Sequence, residues 1–408
     1  MPRVQQQADE SILNLPGFSP KVVGDAPYVA DHVPKAGLAV KIVDLFAGIG
    51  GFHYGIVAAA STKSLRVEPI LVSEIEDSCR FTYERNLKCS VEGDINKVAL
   101  SDYRDEADIV TAGFPCQPFS NSGRKRGLRD PRGRFYERIE TIIKHFSSKS
   151  FILENVPGMT KNGGSRLYPS RLADEPQMIG STMKSLEDKL IELRDYHVRW
   201  FEVDSSHLGS PQVRKRVYII GVRRDLAAMD QLSYSAFFPN EFLQHNFMTI
   251  ADPMSESDAQ LRLSPKQANN IRSFMKRPPA YKDGMRRVGQ AYLCDGGNVG
   301  QAYHAYGLVP TLTKIWARFL PVYFPHEKER LPSIAEKEFT PDFRYYGKGD
   351  LRRASVKEVM LLQGFPPGFL PHENPRLAYE HAGNAVNAKV VREIARHLLD
   401  LTGIGSAA

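Results

Sequence analysis

An apolar run, AVKIVDLF at 39–46, breaks into the glycine cluster AGIGG at 47–51 and resumes as a helix-compatible stretch, FHYGIVAAA at 52–60. A buried strand that feeds a glycine turn and then a helix is the first half of a βαβ unit. It commits the chain to a parallel sheet covered by helices. The alternation continues: PILVSE (69–74), ADIVTAG (108–114) and KSFILEN (149–155) read as further buried strands. RFYERIETIIKHF (134–146) and MKSLEDKLIELRDY (183–196) read as helices. YHVRWFEV (196–203) and RVYIIGV (216–222) predict an antiparallel pair joined by a long polar loop. The expected fold is α/β, a doubly wound, mostly parallel, Rossmann-like sheet with a terminal antiparallel strand. Ligands belong at the C-terminal ends of its strands.

At 408 residues the chain is long enough for two or three domains. Residues 1–37 read as an irregular, proline-interrupted extension, and 38–223 as the main α/β domain. From 224 to 351 the texture turns to Pro, Gly, Tyr and short polar segments, which predicts a smaller irregular domain. SVKEVMLLQG opens a hinge and helix segment at 352–382, and 383–403 reads as an amphipathic helix. Apolar runs such as Val217–Val222 are too short to cross a bilayer, and the N-terminus lacks the apolar core of a secretory signal. The four cysteines include no CxxC pair, so no metal site is expected and a cytoplasmic location fits.

The net charge of +7 is unevenly spread. Residues 120–134 carry +5 and residues 212–224 another +5, which leaves −3 for the rest of the chain. Basic focusing of that kind suits a polyanion such as DNA, because each neutralised phosphate releases counterions.

Gly48, Gly50 and Gly51 let the backbone turn after the first strand and approach a ligand closely, although such a turn can also serve packing alone. The sequence has His53 where a pyrophosphate-binding GxGxxG needs a third glycine, which argues against NAD or FAD. Glu74 ends the second strand, where a carboxylate can accept both hydroxyls of a ribose. Asp94 is placed to hold an adenine amino group. An adenosine ligand without phosphates, such as S-adenosylmethionine, matches that layout. At another strand end, Cys116 is bracketed by Pro115 and Pro118 and followed by the basic stretch, which favours thiolate over thiol. Glu154, Arg214 and Arg216 fall at the same sheet edge. A thiol, a carboxyl and an arginine there form a nucleophile, a proton donor and an anion clamp. Cys79 and Cys89 read as structural.

The blocks 44–52, GFPCQPFS (113–120), ENV (154–156), QVRKRVYIIGVR (212–223), RRASVKEVMLLQGFPPGF (352–369) and GNAVNAKVV (383–391) occur in that order. Together they resemble the C5-cytosine DNA methyltransferases of bacterial restriction–modification systems. The resemblance covers residues 40–223 and 352–402. It implies the S-adenosylmethionine-dependent methyltransferase version of the fold, with 224–351 as target-recognition domain and the helix at 383–403 completing the main domain. It also implies a donor pocket lined by Phe46, the three glycines, Glu74, Ile75, Asp94, Ile95, Pro115, Asn384 and Val386. Ile75 stands where the family often has Trp.

The implied reaction is methyl transfer to C5 of a flipped-out cytosine in a specific double-stranded sequence. Cys116 would add to C6, Glu154 would hold N3 and the 4-amino group, Arg216 the 2-carbonyl, and Arg214 the base, the thiol or a phosphate. Gln117, Ser120, Ser122, Arg124, Arg126 and Arg129 are expected on DNA beside the flipped base. Thr311 and Leu312, a Thr-Leu dipeptide, are expected on it from the recognition domain. The protein would act as a monomer, with a cognate restriction endonuclease reading the same site. Two alternatives are a tRNA cytosine methyltransferase and an inactive DNA-binding paralogue. The tRNA branch carries Cys-Phe-Thr, and no cysteine here precedes Phe.

Overall fold

The computed structural model describes residues 39–404 except 105, 115–134, 164–165, 239–244, 252–260, 264, 266–267, 269–279, 283–284, 293–298, 305–307, 314–319 and 325–349. Six strands form the main sheet: β1 (Ala39–Leu45), β2 (Arg66–Ser73), β3 (Ile109–Ala112), β4 (Ser150–Asn155), β7 (Tyr196–Asp204) and β9 (Lys215–Arg223). Their order is β2-β1-β3-β4-β9-β7. The first four run parallel, and β9 runs antiparallel to both β4 and β7. The reversed strand is thus last in sequence but second from the edge in space. Every residue of β3 and β4 is buried, as interior strands covered on both faces require.

Helices α1 (Gly51–Ser61), α2 (Asp77–Leu87), α3 (Phe135–His145), α4 (Gly158–Lys161), α5 (Ser181–Ile191) and α6 (Tyr234–Phe237) follow in chain order. Three more, α7 (Val356–Leu362), α8 (Pro375–Asn384) and α9 (Ala388–Leu401), complete the main domain. On one face of the sheet Ile139, Ile142, Met183 and Leu186 of α3 and α5 pack on Val110, Phe151 and Leu153. On the other, Phe52 and Ile56 of α1 meet Val390, Val391, Ile394 and Leu398 of α9 over Ile42, Ile152 and Ile220. The C-terminal helix therefore packs into the α/β core through its apolar face. Asn387 caps it, its Oδ1 accepting from the Lys389 and Val390 amides while its Nδ2 donates to the Leu362 carbonyl.

Beyond β9 the structure departs from the expected irregular domain. Short pairs β5 (Tyr168–Pro169) with β6 (Met178–Ile179) and β8 (Gln212–Val213) with β13 (Val309–Pro310) lie outside the two larger sheets. A second sheet orders β10 (Ala280–Lys282), β11 (Met285–Tyr292), β12 (Val299–His304), β14 (Pro321–Phe324) and β15 (Asp350–Arg353) as β10-β11-β12-β14-β15. Nor does the texture change at residue 224 mark a break in packing. Leu232, Phe237 and Phe238 are fully buried with Phe201 and Leu399 of the main domain. Among the described residues no helix is long and apolar enough to cross a membrane.

Candidate functional site

The parallel strands deliver their C-terminal residues to one edge of the sheet, and the reversed strand β9 brings its N-terminal end to the same edge. Asn155 pairs with Val217 and Glu154 with Tyr218, so Arg216 emerges one residue beyond the end of β4. Glu154 and Arg216 form an ion pair there, Nε to Oε1 at 3.0 Å, with both side chains nearly buried. The Arg216 guanidinium also donates to the Lys215 carbonyl at 2.7 Å. Burial drives the Glu154 carboxyl above its ordinary pKa, opposed by the charge of Arg216 and then of Arg214. A carboxyl in that setting can hold a proton and give it to a ring nitrogen. Sequence reasoning paired these two residues, and the fold joins them.

Asn155 was legible only as part of a tripeptide. Its Nδ2 donates to the Phe114 carbonyl at 3.2 Å, and its Oδ1 accepts from the Val156 amide. Phe114 is the last described residue before Cys116, so the end of β4 holds the chain two residues short of that cysteine. Cys116, Pro115, Gln117, Ser120, Ser122, Arg124, Arg126 and Arg129 lie outside the described residues, as does Cys294. Of the remaining thiols, Cys89 is pushed up to about 11, chiefly by burial, and Cys79 packs against an apolar cluster. Cys89 is therefore held as thiol.

At the β1 and β2 end, Glu74 accepts the Gly48 amide on Oε2 at 2.8 Å and the Glu76 amide on Oε1 at 2.9 Å. Its pKa is raised, first by burial. Gly48 sits at φ +56°, and a Cβ built on it would meet nothing within 4 Å, so the turn faces open space. Gly50 caps α1 in the left-handed region. Gly51 is there for close approach, since a Cβ would stand 2.4 Å from the Val386 carbonyl. Phe46, itself at positive φ, packs edge-on against Phe135 at 5.1 Å. Ile75, next to Glu74, is 62 % exposed. Arg80, which sequence reasoning missed, donates to the carbonyls of Glu74 and Ile75, both at 2.9 Å, and fixes that turn.

Asp94 and Asn384 border the same end of the sheet, but Ile95 is buried among Leu71, Ala107 and Val110. Only its backbone can line a pocket. Asp94 commits Oδ1 to the Asn96 amide and side chain. Asn384 is exposed at the end of α8, and Val386 packs partly on the α1–α9 cluster.

Two expectations change. Leu312 is buried in an apolar cluster with Ile49, Val309 and Phe365, and Thr311 Oγ1 donates to the Val213 carbonyl at 2.8 Å. Both residues dock the segment between β12 and β14 against the main domain at β8, so the Leu312 side chain is not presented to a duplex. Arg214 is also buried, its guanidinium directed to backbone carbonyls of Leu312, Gly383 and Ala385. Such a setting differs from a base or phosphate contact.

Residues 40–400 match the model of the C-5 cytosine-specific DNA methylase family. The type II methyltransferase M.BanI of Aneurinibacillus aneurinilyticus is 26 % identical, the alignment covering 88 % of this chain and 96 % of that protein. The type II methyltransferase M1.ScrFI of Lactococcus lactis subsp. cremoris is 28 % identical, covering 92 % and 82 %. Among solved structures, the Entamoeba histolytica methyltransferase EhMeth superposes with a TM-score of 0.60 at 15 % identity, covering 89 % of this chain and 99 % of that one. The S. pombe Dnmt2 methyltransferase gives 0.59 at 16 %, covering 88 % and 98 %. Those two likenesses establish the mixed α/β fold, whereas the family match spans the glycine turn, the Glu154–Arg216 pair and the C-terminal helix that closes the core. The chain belongs to the C-5 cytosine-specific DNA methylase family.

Proposed function

We propose that the protein methylates C5 of a flipped-out cytosine in a specific double-stranded DNA sequence, through a covalent bond between Cys116 and C6. The observation that carries this reading is the nearly buried Glu154–Arg216 pair at the sheet edge, next to Asn155, whose side chain holds the Phe114 carbonyl two residues before Cys116. In this reading Cys116 adds to C6 as thiolate, breaking the ring's delocalisation. Glu154 places its proton on N3 as electron density moves there, and Arg216 binds the 2-carbonyl oxygen where negative charge grows. C5 thereby becomes nucleophilic. Once C5 carries the methyl group, loss of the C5 proton to solvent, expulsion of Cys116 as thiolate and return of the N3 proton to Glu154 restore the aromatic ring.

The family is dependent on S-adenosylmethionine. This chain's residues fit that group. Glu74 accepts the backbone N–H groups of Gly48, Glu76 and Ile75, which leaves its carboxylate, with about four acceptor positions, capacity for a ribose hydroxyl. Gly48 leaves open space, Ile75 can cover the adenine, and Asp94 can face its amino group. When bound, the donor supplies an electrophilic methyl group on a sulfonium.

The relatives named type II methyltransferases favour a DNA substrate and a restriction–modification setting, with a cognate endonuclease reading the same sequence. The likeness to Dnmt2-type folds does not favour the tRNA alternative, because it rests on 15–18 % identity and the Cys-Phe-Thr tripeptide is absent.

The decisive experiment uses duplex DNA carrying 5-fluorocytosine at the target. Fluorine cannot leave as a cation, so a denaturation-resistant one-to-one complex should accumulate when the methyl donor is added. Cys116→Ser should abolish trapping, while Cys79→Ser, Cys89→Ser and Cys294→Ser leave it intact. Trapping that survives Cys116→Ser would show the nucleophile to be misassigned.

A further inference from the structure

The first arginine of the Gln212–Arg216 block has a setting that the second does not share. Arg214 is 2 % exposed. Its guanidinium donates to the Leu312 carbonyl at 3.0 Å, the Gly383 carbonyl at 3.4 Å and the Ala385 carbonyl at 2.7 Å. Its backbone amide donates to Asp204 Oδ1 at 3.1 Å. The carbonyls come from two distant stretches of chain. Leu312 closely follows β13, which pairs with β8 on the passage between β12 and β14 of the small sheet. Gly383 and Ala385 flank Asn384, on the side where Val386 abuts the glycine turn.

We propose that Arg214 is a positioning residue for methyl transfer, its fork fixing the 383–386 wall of the donor site against the 309–313 arm of the small domain. The inference rests on the donor-site reading above. A planar guanidinium can address several carbonyls at once with fixed angles, which an ammonium on a flexible stem cannot. A buried cation also has to be compensated by such acceptors, so the fork and the two segments constrain each other. There is little slack on the donor side. The Val386 carbonyl already lies where a Cβ on Gly51 would be, so a small shift of the wall reaches the glycine turn directly. Arg214 thus links the two halves of the reaction, donor and duplex, without touching either.

The test compares Arg214→Lys, Arg214→Ala and the exposed neighbour Lys215→Ala in the full-length protein. Hydrogen exchange, read by mass spectrometry without ligand, should rise in both 309–313 and 383–387 for the Arg214 variants and not for Lys215→Ala. Affinity for S-adenosylhomocysteine, measured without DNA, should fall roughly tenfold in Arg214→Ala, as expected when buried carbonyls lose their donors. Millimolar guanidinium chloride should restore part of that affinity by filling the vacated site. Arg214→Lys, which keeps the charge and loses the fork, should lie between, and it carries both readouts if the Ala variant does not fold. Unchanged exchange in either segment would overturn the proposal. So would unchanged S-adenosylhomocysteine affinity with lost turnover, which is the signature of a direct contact to base or phosphate. A wild-type protein that binds no S-adenosylhomocysteine would overturn the donor-site reading itself. That failure is distinguishable, because the exchange pattern needs no ligand.

Discussion

Glu154 and Arg216 carry the most specific prediction for a single side chain. Burial raises the Glu154 carboxyl, and Arg216 is the largest influence pulling it back. If the reaction needs the protonated carboxyl at N3, turnover should fall as pH rises through that raised pKa. Removing Arg216 should move the alkaline limb of the residual activity further upward, because a lowering influence is lost. Glu154→Gln should reduce kcat by about 10²–10⁴-fold, the usual worth of a proton-transferring group. A kcat–pH profile whose midpoint ignores Arg216→Ala would mean that the Glu154 proton is not used. The residues of this pair were readable because each ends a strand in a short motif. The buried set behind the glycine turn was not, since nothing local marks Asp44, His53, Tyr83 and Thr111 as neighbours. Thr111 Oγ1 and Tyr83 Oη donate to Asp44, and His53 Nδ1 is 2.8 Å from Tyr83 Oη. Burial pushes Asp44 up to about 7 and His53 down to about 4. The folded state therefore holds the Asp44 proton that an unfolded chain releases near 3.8, and gains stability as pH falls from about 7 toward 4. His53 does the reverse between about 6.5 and 4, where the unfolded chain takes the proton first. Asp44→Asn removes the first contribution and leaves the second, so its Tm should drop more steeply with acid than that of the wild type. Parallel Tm–pH curves for the two proteins would show that Asp44 does not titrate in this window.

Elements whose apolar positions are periodic or continuous were legible, and those held by a few contacts were not. β1, β3 and β4 announce themselves because burial on both faces demands near-continuous apolar runs, broken only at a few polar positions such as Asp44. Helix α2 buries only Thr82 and Tyr83, so its sequence shows no apolar stripe. The polar and glycine-containing β11, MRRVGQAY, likewise hides a strand that exists through its pairing with β10 and β12. The signals for α7 were Gly364 and the prolines at 366 and 367, which stop it. The structure adds a capping box at its start, where Ser355 accepts the Glu358 amide and the Glu358 carboxylate accepts the Ser355 amide. The α1–α9 contact is the element-scale feature most open to test. A Cβ on Gly55 would stand 2.5 Å from Val391 Cβ and 2.8 Å from the Ala388 carbonyl. Gly55→Ala must push the two helices apart, although alanine is the better helix former. Denaturant unfolding should show a loss of about 1–3 kcal/mol, the usual cost of overpacking. A gain in stability would mean that α9 can move outward freely, and that it does not hold the wall at 383–386.

At the scale of the whole molecule, the chain crosses between its two sheets more than once, and those crossings decide where it can be cut. Local pattern could not reveal them, because each is a contact between segments far apart in sequence. Phe237 and Phe238 stay in the main core with Phe201, and His397 rings against Phe237 at 4.6 Å. On the return, Arg352 at the end of the small sheet holds Glu358 of α7 through two bonds at 2.8 and 2.7 Å, both side chains buried. Val309 and Leu312 enter a third apolar cluster with Val359, Phe365 and Ala382. A target-recognition module exchanged at 224–351 would take the two phenylalanines out of the core, at a cost of about 3–5 kcal/mol for each that is not replaced. It would also sever β15 after its second residue. Exchange of 252–349 with native residues 308–313 retained leaves these contacts in place. If sequence choice resides in the small domain, that chimaera should melt within a few degrees of the parent and methylate the donor enzyme's sequence. Bisulfite sequencing of DNA from cells expressing it reads the outcome directly. Methylation at the parent's own site by a stably folded chimaera would move the specificity out of 252–349 and into the main domain, whose basic stretches at 120–134 and 212–224 would then have to supply it.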